Sequence, residues 1–197
     1  MKVSKHVVTS CIVAASAVAG LGSAYADSGA DPTDVPQELV VPAHQTLAFQ
    51  ALGVGVQNYR CAASTTDPQQ YGWVFMSPEA TLFAEDRHRI GIHYGGPTWE
   101  AKDGSKIVGT VKAHVDSPSK GAIPWLLLEA KPIVNQGVFG QVRYVQRLHT
   151  SGGVVPSMPC NASSAGRIAR VPYSADYYFY EPQTRAGAVP ATRRTEG

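Results

Sequence analysis

Charge is scarce in this chain of 197 residues. Asp, Glu, Lys and Arg together make 16% of it and the hydrophobic types 44%, whereas an ordinary soluble domain carries roughly a quarter charged residues. So low a charge with so much apolar content excludes a disordered polyelectrolyte. The small basic surplus is local, because Lys2 and Lys5 lie at the extreme N-terminus and beyond position 26 Lys+Arg and Asp+Glu balance at 15 each. With no Lys/Arg stripe, nucleic acid is a poor partner. Other features are missing outright. There is no amphipathic helical period, no repeat at a solenoid spacing, no HExxH or other paired histidine spacing and no nucleophile-elbow string. These absences argue against helical bundles, repeat proteins, zincin-type metal sites and serine hydrolases of the α/β type. Gly53-Val54-Gly55 is the nearest approach to a dinucleotide fingerprint, but Asn58 occupies the third glycine position and no helical pattern follows, so no nicotinamide cofactor is expected. No cofactor of any other kind is indicated.

Long apolar runs are also rare, and the one at the N-terminus has the form of an export signal. Lys2, Lys5 and His6 precede an apolar stretch from Val7 to Leu21, and Ala24-Tyr25-Ala26 supplies a small-x-small cleavage site. Residues 1–26 are therefore expected to be a signal peptide, with the mature chain starting at Asp27. Val8-Thr9-Ser10-Cys11 resembles a lipid-attachment box, but only ten residues precede Cys11 and the apolar run continues past it. No later segment reaches the roughly 20 apolar residues of a spanning helix, so a secreted or periplasmic location without a membrane span is expected. Of three cysteines, Cys11 leaves with the signal. Cys61 and Cys160 remain in an oxidising compartment, and a disulfide between them is predicted.

What the chain does have is alternation. Asp27 to Pro42 holds Pro32, Pro36 and Pro42 and reads as an extended or mobile lead-in. From residue 43 to 181, short runs of period two follow one another between turn signals. They include Thr46–Ala51, then after Gly53 and Gly55 the segment Val56–Cys61, then Tyr71–Met76, Arg89–Tyr94, Thr98–Lys102, Lys106–Val115, the continuous apolar run Ile123–Leu128, Gln141–His149 and Arg170–Tyr180. In Arg89–Tyr94, His93 falls on the face opposite Ile90 and Ile92. In Lys106–Val115, Ile107, Gly109, Val111, Ala113 and Val115 form one apolar face. In Gln141–His149, Val142, Tyr144 and Leu148 oppose Arg143, Arg147 and His149. Asp103-Gly104 is a two-residue hairpin signal. The run Ile123–Leu128 must be buried on both faces or lie partly under another element. Residues 182–197 read as a flexible tail. The fold expected is all-β, a single-domain antiparallel sandwich or closed barrel of about eight short strands.

Five ordered strings carry a family resemblance: Gly55-Val56-Gln57-x-Tyr59-Arg60-Cys61, His93-Tyr94-x-Gly96-Pro97-Thr98-Trp99-Glu100, Asp103-Gly104-Ser105, Ile123-Pro124-Trp125-Leu126-Leu127-Leu128 and Val171-Pro172-Tyr173-x-Ala175-Asp176-Tyr177-x-Phe179-Tyr180. Together they resemble the secreted family catalogued as domain of unknown function 3455, over nearly all of the mature chain. The resemblance implies an exported protein without a settled activity. Some members carry a malate dehydrogenase label, which the missing dinucleotide fingerprint does not support.

The candidate site is the corner from His93 to Glu100. His93, Tyr94, Trp99 and Glu100 are its candidate ligand-binding residues. Trp99 follows a Gly-Gly-Pro corner where backbone can approach a small molecule or a sugar ring, and Trp73 and Trp125 read as core. His93 with Glu100 could serve as an acid/base pair of an extracytoplasmic hydrolase, but no third triad member is visible. The main expectation is a non-catalytic binding or structural module. A histidine metal site drawn from His44, His88, His93, His114 and His149 is the remaining alternative. Asn161-Ala162-Ser163 fits a glycosylation acceptor whose use depends on the source organism.

Overall fold

The computed structural model describes residues 31–184. The expected signal peptide and most of the expected tail lie outside the described residues. Eight antiparallel strands follow one another around a closed barrel: β1 (Gln45–Ala63), β2 (Tyr71–Phe83), β3 (Arg89–Tyr94), β4 (Thr98–Ala101), β5 (Lys106–Val115), β6 (Trp125–Pro132), β7 (Tyr144–Gly152) and β8 (Ile168–Pro182). Each strand pairs with the next, and β8 closes on β1 from Gln45↔Pro182 to Arg60↔Ile168. The all-β expectation is met, in its closed-barrel form.

Two segments expected to be broken are continuous. Gly53 and Gly55 do not end a strand, because β1 runs 19 residues through them, and the strand expected over Tyr71–Met76 likewise runs on through Ser77-Pro78 to Phe83 as β2. Gly53 sits on the inner face, where a Cβ would stand 2.5 Å from the Tyr177 ring. Its missing side chain makes room for a neighbour's large one, which is a packing role and not a turn role. Gly109 does the same on β5, where a Cβ would lie 2.9 Å from the Trp99 ring. An eight-stranded barrel is just wide enough to be filled by side chains or to hold one small ligand, so such pairings of small and large residues decide what space remains.

The interior core contains Phe49, Leu82, Trp99, Ile107, Leu128, Tyr177 and Phe179. One end of the barrel is sealed. Phe49 stacks on Phe179 at 4.6 Å between ring centroids, and Phe139 packs on both, 5.5 Å from Phe49 and 5.0 Å from Phe179. Asp103 holds that plug in place. Its Oδ1 accepts from the Ser105 amide and hydroxyl, its Oδ2 accepts from the Val138 amide, and the Ser105 hydroxyl accepts from the Phe139 amide. The hairpin turn read from Asp103-Gly104 is present, with Gly104 at φ 83°, and the same aspartate fastens the loop between β6 and β7.

A second apolar cluster lies outside the barrel. Leu39, in a short 3-10 turn at Gln37–Leu39, is fully buried there with Leu47, Trp125, Leu127, Leu148, Tyr178 and Tyr180. Gln146 fixes the turn, donating through Nε2 to the Leu39 carbonyl at 2.7 Å while its Oε1 accepts from the Tyr180 hydroxyl at 2.8 Å. This accounts for the continuous apolar run: Ile123 and Leu128 face the interior cluster, whereas Trp125 and Leu127 lie under the segment that precedes β1. It also corrects the reading of β5. A bulge between Val111 and Ala113 switches the strand's faces, so Ile107 packs inside while Ala113 and Val115 pack in the outer cluster.

Candidate functional site

Cross-strand pairing of β3 with β4 sets His93 opposite Trp99 and Ile92 opposite Glu100. That register divides the four expected site residues. His93 and Trp99 point into the barrel, 3% and 1% exposed, with their rings stacked 4.4 Å apart. Tyr94 and Glu100 point outward, where the Tyr94 hydroxyl donates to Glu100 Oε2 at 2.8 Å and Lys106 Nζ pairs with the same oxygen at 2.9 Å. The bonds from Lys106 and then Tyr94 hold the Glu100 carboxyl below its ordinary range. His93 and Glu100 therefore share no cleft, and the acid/base geometry a hydrolase would need is not formed by this pair. Trp99 offers no open ring face for a sugar, because His93 covers it and Tyr177 and Phe179 meet it edge-on.

Inside the barrel His93 is held neutral. Its Nδ1 lies 2.8 Å from the Thr98 carbonyl, which fixes the proton on Nδ1 because a carbonyl can only accept. Burial pushes the imidazole down to about 3, the Thr98 carbonyl opposes that, and the charge of Arg147 adds to the depression. Arg147 comes from β7 and reaches the same interior. Its Nε and Nη2 donate to the Pro124 carbonyl at 3.2 and 2.7 Å. Burial lowers its affinity for the proton, and the groups that counter this are the hydroxyl-bearing rings of Tyr177, Tyr173 and Tyr59, with no carboxylate among them. Tyr173 and Tyr177 pair hydroxyl to hydroxyl at 3.2 Å, and burial raises both above the ordinary phenol value.

His93, Arg147 and Tyr59 border a cavity of about 490 Å³ at the end of the barrel opposite the Phe139 plug. Gln57, Tyr59, His93 and Arg147 supply its polar groups, and Phe75, Met76, Val111, Ile123 and Leu126 are among its apolar walls. The turn at Gly96-Pro97 forms part of the rim. A mostly apolar pocket with a few fixed polar groups has the character of a small-molecule site, and its volume falls in the usual range of roughly 300–1,000 Å³. Gln57 is 2% exposed and its Nε2 finds no acceptor among the described residues. A larger groove of about 720 Å³ runs over Leu52, Val54, Asp176 and Tyr178, but none of the unpartnered buried polar atoms among the described residues belongs to it.

The wall of the open end is stapled. Cys61 at the far end of β1 is bonded to Cys160 in the loop between β7 and β8, as the cysteine count predicted. Trp73 Nε1 donates to the Met158 carbonyl at 2.9 Å, and the Tyr59 hydroxyl donates to the Gly153 carbonyl at 2.7 Å. The hairpin of β1 and β2 is thus fastened to that loop beside the cavity.

Sequence reasoning assigned no functional role to Gln57, Tyr59 or Arg147. For Arg147 a signal was present: Val145 and Leu148, an odd number of positions apart on one strand, are both apolar, so both faces of β7 had to be covered. Alternation groups His149 with Arg147, but β7 is irregular between Leu148 and Ser151 and His149 has φ 48°. The break turns His149 outward, where Nδ1 meets Asp176 Oδ2 at 2.9 Å and Nε2 meets Asp34 at 3.1 Å. Among the described residues no three His, Cys, Asp or Glu side chains gather closely enough to hold a metal ion.

Fold and site together define a small closed antiparallel barrel with one sealed end and one end open to a half-buried arginine. Residues 42–181 match the family described as Protein of unknown function (DUF3455), and the chain belongs to that family. No curated protein and no solved structure matches it.

Proposed function

We propose that this protein is an exported, non-catalytic binding barrel that takes a small amphipathic molecule into its open end. The observation that carries the reading is the contrast between the two ends: aromatic rings close one, while the other leads to a cavity of about 490 Å³ that contains the unpartnered Gln57 amide. Export rests on the N-terminal signal pattern and agrees with the disulfide. Among the described residues no helix is long and apolar enough to cross a membrane. The sequence of the mature N-terminus checks the export part, with Asp27 as the expected first residue.

A neutral reporter dye, N-phenyl-1-naphthylamine, tests the pocket. Its fluorescence should rise on binding at one site per chain. Ile123→Trp, which fills the cavity from one wall, should abolish the rise while leaving the circular dichroism spectrum unchanged. Equal dye binding by the filled variant, or none by either protein, would refute the reading.

A further inference from the structure

The barrel interior has an imbalance between donors and acceptors. Gln57 Nε2 and Trp99 Nε1 are buried N–H groups without acceptors among the described residues. Arg147 brings a guanidinium that cannot give up its proton in a protein, and among the described residues it forms no ion pair. Its bonds to the Pro124 carbonyl satisfy hydrogen-bonding geometry but do not neutralise its charge. Among the described residues no Asp or Glu lines the cavity. A partly buried cation without a counter-charge is costly, and an anion delivered from solution would remove that cost.

The rest of the lining limits what the anion can be. One cation matches one negative charge, and the walls formed by Phe75, Met76, Val111 and Leu126 offer no second cation for a phosphate dianion. We propose that the open end of the barrel receives a small monocarboxylate, its acid group held by Arg147 and Gln57 and its apolar body lying against Phe75, Met76, Val111 and Leu126. The planar fork of an arginine suits a carboxylate. The neutral His93 beside it adds no second positive charge.

This assignment rests on the binding-barrel reading, and calorimetric titration with octanoate and its neutral isostere octanamide separates the two. The disulfide-bonded protein should bind octanoate one to one and at least tenfold more tightly than octanamide at pH 7.5. Arg147→Met should reduce that preference below threefold. Gln57→Leu, whose removal of an unpartnered donor should not harm folding, should weaken octanoate by threefold or more. Equal binding of the two probes by the wild type, or a preference that survives Arg147→Met, would overturn the carboxylate assignment while a positive dye result left the binding reading standing. If Arg147→Met does not fold, unchanged octanoate binding by Gln57→Leu overturns it instead. Failure of dye, acid and amide alike would remove both.

Discussion

Acidification should destabilise this barrel through His93, and the size of the effect follows from where the ring sits. In the unfolded chain the imidazole takes a proton near its ordinary value of 6.5, whereas in the folded barrel burial holds it neutral down to about 3. Between those values the unfolded state binds one proton more than the folded state, so stability falls as pH falls. The slope is about 1.4 kcal/mol per pH unit. From pH 7.5 to 4.5 only the two units below 6.5 count, which gives about 3 kcal/mol, a large part of the roughly 5–15 kcal/mol available to a domain. His93→Gln removes the titration and keeps an N–H that can donate to the Thr98 carbonyl. Urea unfolding of both proteins across this range should show the stability difference, wild type minus variant, becoming about 3 kcal/mol less favourable to the wild type at pH 4.5. A change below about 1 kcal/mol would mean that the folded protein accommodates a protonated His93, and the account of a closed, neutral ring stacked on Trp99 would be refuted.

Three further outcomes follow from other parts of the fold. Replacing both Cys61 and Cys160 by Ser opens a link with a sequence separation of 99; chemical denaturation should show a loss of at most ~4.7 kcal/mol by the chain-entropy model, and the variant should bind the reporter dye more weakly because the β7–β8 loop is released from the cavity wall. Asp103 is held below its ordinary value because bonds from Ser105 and Val138 outweigh the opposing effect of burial. Its contribution is therefore present above the ordinary carboxyl range and lost as pH falls through the lowered value, and Asp103→Ala should cost about 1–3 kcal/mol at pH 7 while the variant's stability falls less steeply than that of the wild type in acid. His149 behaves oppositely. Burial disfavours its charge but Asp34 and Asp176 outweigh that and raise its value, so its grip on the segment before β1 is complete below 6.5 and lost as pH rises through the raised value. Trp125 meets the His149 ring edge-on at 5.2 Å, and its fluorescence should increase over that rise with a midpoint above 6.5; His149→Gln should eliminate the transition, and a midpoint at or below 6.5 would contradict the carboxylate bridge.

Alternation, turn residues and cysteine count were sufficient to determine that this chain is all-β, about which turn β4 and β5 fold, and that Cys61 and Cys160 pair. Those properties depend on neighbours in sequence or, for the disulfide, on the two cysteines that remain once Cys11 is assigned to the expected signal peptide. The site was only half legible. Period two placed His93 opposite Ile92 and Tyr94, but it could not say which face is the interior, because both faces of several strands are covered: the barrel fills one, and Leu39 with its neighbours covers part of the other. Bulges added a second ambiguity, since one irregularity in β5 and one in β7 exchange inside for outside in the middle of a strand and leave the residue types unchanged. Closure of β8 on β1 was decided only in three dimensions, and it is closure that brings Gln57 from β1, His93 from β3 and Arg147 from β7 around one cavity. Residues some 36 and 54 positions apart along the chain meet there because a barrel curls its sheet until distant strands face each other, and no local pattern encodes that encounter.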